Sequence, residues 1–162
     1  MNAAYLHLLT NHIPVFGFLF GAGLLAYGTF RGNTEIKRVA AFVLLLAALG
    51  TIVAYFSGHN AEEMVEHLPG VLEEAIDKHE EAARFPLYLS IITGILSAVY
   101  LFLPFRFGDW ALLLLSVLSL GGGVYAAKTG GAIRHAAEQG LTSFPSGEGE
   151  GMYPEKEEED DD

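Results

Sequence analysis

Six histidines, His7, His12, His59, His67, His79 and His135, are the side chains of this sequence best suited to chemistry. Cysteine is absent, so thiolate ligation, c-type haem attachment, disulfides and thiol redox work fall away together. Imidazole, with carboxylate as its helper, remains. Paired imidazoles on facing helices at one depth are what a b-type haem asks for, along with small residues beside the macrocycle and cations for its propionates. Imidazole mixed with carboxylate would instead suit zinc or copper, and Glu63 with His67, four apart on a helix, offers that spacing.

The elements that must position these residues are apolar runs. Ile13 to Phe30, Val39 to Ser57, Phe85 to Phe105 and Trp110 to Ala127 are each about 18 to 21 residues without a charge, the length needed to cross hydrocarbon. Four in succession leave too little polar helix face for a soluble core. The net charge of -11 is segregated from them, in an acidic stretch from Glu62 to Glu81 and in the tail from Glu148 to Asp162. The expected fold is therefore all-α, an integral membrane four-helix bundle in contact with the lipid bilayer. Residues 1–139 form the transmembrane domain, with helices at about 13–30, 39–57, 85–105 and 110–127 and a helical, acidic extracytoplasmic loop between the second and third. Residues 140–162 form a disordered acidic tail, too polar and self-repelling to bury a core.

The short first and third connections carry Arg31, Lys37, Arg38 and Arg106 against Glu35 and Asp109. An excess of bases in short loops marks the cytoplasmic side. Both termini and the acidic loop then lie in the periplasm, and the expected location is a bacterial inner membrane. The first apolar run reads as a span and not as a cleavable signal, since no Lys or Arg precedes it and no small-residue cleavage site follows.

On this topology every histidine falls at the outer end. His12 and His59 sit within about a turn of the apolar boundary, and His79 and His135 about 9 to 12 Å further out. Pairing is expected at two levels, His12 with His59 and His79 with His135, with His7 an alternate at the upper level. Leu68, Leu72, Ile76, His79 and Ala83 share one helical stripe, so His79 should point inward. Pro69 with Gly70 should split the loop into two helical pieces, and Pro86 should kink or start the third span. Arg84 and Arg134 stand on the histidine side as partners for propionates.

Three readings stay open. One is an electron carrier holding one or two b haems through bis-histidine ligation. Another is a cofactor-free accessory subunit of a larger respiratory or photosynthetic complex. The last is a metal-binding protein using His79, His135, His12, His67 and Glu63. Tyr88, Tyr100 and Tyr125 could meet a quinone, or else anchor at the membrane boundary. The acidic tail suits a basic soluble cytochrome as partner, recruited by charge, and self-association is compatible with the bundle. No Asp, Glu, Lys, Arg or His lies inside the four runs, which disfavours pumps, proton-coupled transporters and ion channels, and no phosphate loop, nucleophile elbow or nucleic-acid patch is present.

The segments LLTNHIPVFGFLFG, SGHNAEEMVEHLPGVLEEAIDKHEEAA and TGGAIRHAAE resemble those of a group of uncharacterised bacterial four-helix membrane proteins, in the same order and across Tyr5 to Glu138. The resemblance implies the topology and singles out His12, His67, His79 and His135. It brings no activity with it.

Overall fold

The computed structural model describes residues 3–66, 70–105 and 107–142, all helix or helix connection. Five helices follow in order: α1 Ala3–Thr10, α2 His12–Arg31, α3 Thr34–Val65, α4 Glu73–Phe102 and α5 Gly108–Thr142. The first two form one broken span. Pro14 stands three residues into α2 and its ring collides with a helical carbonyl four residues back, so the chain breaks near Asn11 and α1 leans onto α3. The four spans close into a ring in which α2 packs on α3 and α5, and α4 packs on the same two.

Each connection has a local cause. Gly32 takes the left-handed conformation (φ 63°) that ends α2, and the Asn33 amide donates to Gly28 O at 2.8 Å, the Schellman closure. Asn33 then caps α3 through its side chain, which accepts from the Ile36 amide at 3.0 Å. Between α3 and α4 the chain turns at Gly70 (φ 82°), and Glu73 and Glu74 open α4 where the helix dipole favours acids.

The interior is made of small residues. Ala40, Ala41, Leu44, Ala47 and Ala48 of α3 meet Phe18 and Leu25 of α2, Tyr100 of α4 and Leu112 of α5. A Cβ on Gly21 would come within 2.6 Å of Leu44, and one on Gly94 within 2.8 Å of Ala48, so these contacts require glycine. Large apolar side chains such as Phe20, Phe30, Ile95 and Leu114 point outward, while Ser90, Thr93, Ser97, Ser116 and Ser119 are buried. Large apolar residues outside and small or hydroxylated ones inside is the distribution expected of helices that pack in lipid. Four stretches, Tyr5–Arg31, Thr34–Glu62, Glu73–Phe102 and Gly108–His135, are long and apolar enough to cross a membrane.

The helices outrun the apolar stretches. The two helical pieces expected of the acidic loop are the ends of α3 and α4 themselves. Pro86 does not start a helix: it lies buried inside α4, with its ring against Gly122 of α5. Helix α5 reaches Thr142, beyond the residue 140 at which the tail was expected to begin, and residues 143–162 lie outside the described residues.

Candidate functional site

Both chain ends of the bundle, with the ends of α3 and α4 that join residues 66–72, share one end, and His7, His12, His59, His79 and His135 are all there. Two of them meet. The rings of His7 and His79 lie 6.4 Å apart, centroid to centroid, with their planes at 73°. His7 comes from α1 and is seated on α3, where its Nδ1 lies 2.8 Å from Ala54 O and 3.5 Å from Ser57 Oγ. His79 comes from α4 and is seated on α5, where its Nδ1 lies 2.9 Å from Thr129 Oγ1.

These partners assign the tautomers. A carbonyl oxygen only accepts, so His7 must carry its proton on Nδ1 to satisfy Ala54. The Thr129 hydroxyl gives its one proton to Ala126 O at 2.8 Å, so toward His79 it accepts, and Nδ1 again donates. The tautomer so assigned leaves Nε2 of each neutral imidazole without a proton, and His79 has the Ala126 carbonyl as a further partner.

Glycine lets the rings in. A Cβ on Gly58 would lie 2.9 Å from His7 Cε1, and one on Gly130 would lie 2.9 Å from His79 Cε1. The residues that seat the pair, Ala54, Ser57, Gly58, Ala126, Thr129 and Gly130, are all small and uncharged.

The other candidates fall elsewhere. His12 and His59 are exposed and do not form the lower-level pair, and His59 Nδ1 lies 3.6 Å from Glu62 on its own helix. His135 is exposed on α5, about 9 Å beyond Thr129 along the axis. The upper-level contact of His79 is therefore with His7, because α1 leans across α3 and carries it into the bundle. Arg84 is exposed and bound to Glu80 at 3.3 Å, with the Tyr55 hydroxyl as a further partner. Arg134 is exposed and has contacts of its own. His67 and the Glu63 side chain lie outside the described residues, and among the described residues no group of three or more His, Asp or Glu is placed to hold a metal ion. Tyr88 and Tyr125 face outward, as boundary anchors do, whereas Tyr100 is buried.

Tyr100 belongs to a cluster at the opposite end of the bundle. Its hydroxyl donates to Asp109 Oδ1, and Lys37 Nζ lies 2.5 Å from Asp109 Oδ2. Asp109 sits in the first turn of α5, where the dipole favours it. Sequence reasoning did not find this triad, nor the supporting roles of Gly58, Thr129 and Gly130. The glycines at histidine depth were the available signal. No known family, curated protein or solved structure matches the chain, and function is argued from this geometry.

Proposed function

We propose that the chain is a multi-pass membrane protein that carries electrons through one b-type haem held by His7 and His79. The observation that carries this reading is the close approach of two imidazoles, their centroids 6.4 Å apart, each fixed through Nδ1 to a helix group. The donor set and the small neighbours fit the group.

Haem, when bound, supplies one-electron redox chemistry tuned by its ligands. The protein's own part is orientation and basicity. Donation from Nδ1 to Ala54 O and to Thr129 Oγ1 holds each ring at a fixed angle and makes its Nε2 a stronger donor. Seating on Gly58 and Gly130 stops the rings from swinging away. The small, uncharged surroundings favour the less charged state of a bound centre.

Sidedness is part of the same reading. Arg31, Lys37 and Arg38 lie at the end away from the histidines, and this excess of bases supports a cytoplasmic location for that end in a bacterial cell. The histidine end then faces the periplasm, under an acidic collar from Glu62 to Glu81 that suits a basic soluble electron partner.

The test is an ultraviolet-visible spectrum of the full chain purified in detergent. A Soret band that sharpens on dithionite reduction is the expected result. A colourless protein that takes up no added haemin overturns the reading in favour of a cofactor-free subunit, in which the two imidazoles merely satisfy helix carbonyls. A colourless protein with stoichiometric zinc or copper overturns it in favour of metal binding.

A further inference from the structure

The interface of α4 with α5 holds a row of hydroxyls that the histidine pair does not use. Pro86, Thr93 and Tyr100, seven residues apart on α4, all touch α5, through Gly122, Ser119 and Asp109. Ser90 and Ser97 fall on the same stripe, between those contacts. Ser116 and Ser119 line the facing side of α5. All five serine and threonine residues of the row are buried, Ser90 to 1% exposure and Ser97 to 0%.

Their hydrogen bonds are unevenly met. Thr93 donates to Leu89 O at 2.7 Å and lies 3.4 Å from Ser119 Oγ, and Ser116 donates to Leu113 O. The Oγ atoms of Ser90 and Ser97 have no hydrogen-bond partner in the protein. A buried hydroxyl without a partner is costly, and the usual remedy is internal water with two to four polar neighbours. The spacing suits it. Successive hydroxyls on α4 are about 4.5 to 6 Å apart along the axis, the span of two hydrogen bonds through one water oxygen.

The row also has a direction. It starts at Tyr100 and Asp109, beside Lys37, where the carboxylate is 16% exposed, and it runs inward to Ser90. Beyond Ser90 it meets Pro86 and Leu87, which are buried and carry no hydroxyl. Between that mouth and Ser90 the row carries hydroxyls and no charge, a lining that suits neutral water.

We propose that the α4–α5 seam is a file of internal water that enters at Asp109 and ends at Ser90, halfway through the bundle. Water oxygens meet the unpartnered hydroxyls of Ser97 and Ser90. Through that file each hydroxyl trades its proton with solvent, one proton leaving for each that arrives, and no net charge moves because Ser90, Pro86 and Leu87 offer no base at the inner end. The file stands with or without haem at the histidine pair.

The absence of cysteine makes the test direct. Ser90→Cys, Ser97→Cys and Ser119→Cys each place one thiol in the full chain, and its S–H stretch is unique in the infrared spectrum. On transfer to heavy water the band should vanish within minutes in each variant, while Ala41→Cys, buried outside the seam, keeps its S–H at least tenfold longer. Thr93→Val should slow exchange at Ser90→Cys at least tenfold and leave Ser97→Cys unchanged, because water reaches Ser97 first. Three seam variants make the test independent of any one that fails to fold. Thiols that retain S–H for hours in folded seam variants overturn the proposal, as does exchange at Ala41→Cys that is equally fast, or a Thr93→Val effect of the same size at both positions. None of these readings depends on the haem spectrum.

Discussion

The two ends of the bundle are closed in opposite ways. At one end Lys37, Asp109 and Tyr100 tie α3, α4 and α5 together with opposite charges and a phenol, and each polar atom is answered by another. At the other, His7 and His79 bring α1, α3, α4 and α5 together with neutral rings, and only one nitrogen of each ring is answered by the groups that seat it. The first arrangement is complete as it stands. The second leaves each ring half-buried with its Nε2 unprotonated, the form in which imidazole binds a metal centre. The contrast separates a clasp from a site, and it can be tested by substitutions at each end.

The largest expected effect is on the clasp. Lys37→Met leaves the Asp109 carboxylate half-buried without its cation, and breaking such a pair costs about 2 to 4 kcal/mol once partial solvation is allowed for. Thermal unfolding in detergent should show the loss, while the haem absorbance per folded molecule stays unchanged. A variant as stable as the parent would mean that the pair is no clasp.

The reverse pattern is expected at the site. On the proposed haem reading, haem retained through purification should drop tenfold or more in His79→Ala and in His7→Ala, because a group that both imidazoles would hold is left with one. Unfolding should shift by less than it does in Lys37→Met. Full haem content in both variants would move the ligands to other histidines.

A finer comparison lies one residue apart. Gly130→Ala forces a methyl against His79 Cε1, whereas a Cβ on Gly131 meets nothing within 4 Å. Both changes favour the helix by roughly 0.5 to 1 kcal/mol. In Gly130→Ala that gain is offset by displacement of the ring, so stability should hardly change while haem retention falls severalfold. Gly131→Ala should be slightly more stable with its haem intact. Equal haem content in the two would show that the seat of His79 does not matter.

The smallest effect is expected at the exposed imidazoles. His12→Ala and His59→Ala, singly or together, should leave the haem spectrum and midpoint potential where they were, since neither ring enters the bundle. A lost or shifted Soret band in the double variant would revive a site at the lower level.

Much of this was legible in the chain because hydrocarbon imposes length. The apolar runs located the spans, and counting residues outward from them placed the histidines at one end. The ends of the helices were less visible. From Glu73 to Arg84 helix α4 carries no apolar run, and it is held by acids at its start and by pairs such as Glu80 with Arg84, which in isolation are worth only a few tenths of a kcal/mol. The inward stripe of His79 was readable from spacing, because Ile76 and His79 share a face. Its partner was not. Whether His7 or His135 meets His79 depends on the tilt of α1, which the break before Pro14 sets, and spacing along one helix carries no information about the lean of another. Asp109 and Lys37 were visible as boundary charges, but their pairing spans the sequence from α3 to α5 and left no local trace.

The turn at Gly32 and Asn33 bears on how the chain reaches its membrane. Two residues join α2 to α3, both are fixed by hydrogen bonds to the helices they connect, and glycine contacts such as Gly21 with Leu44 hold the two helices together along their length. There is no slack for one of the two helices to sit in a bilayer without the other. The pair is built to enter as one hairpin, against which α4 and α5 then pack.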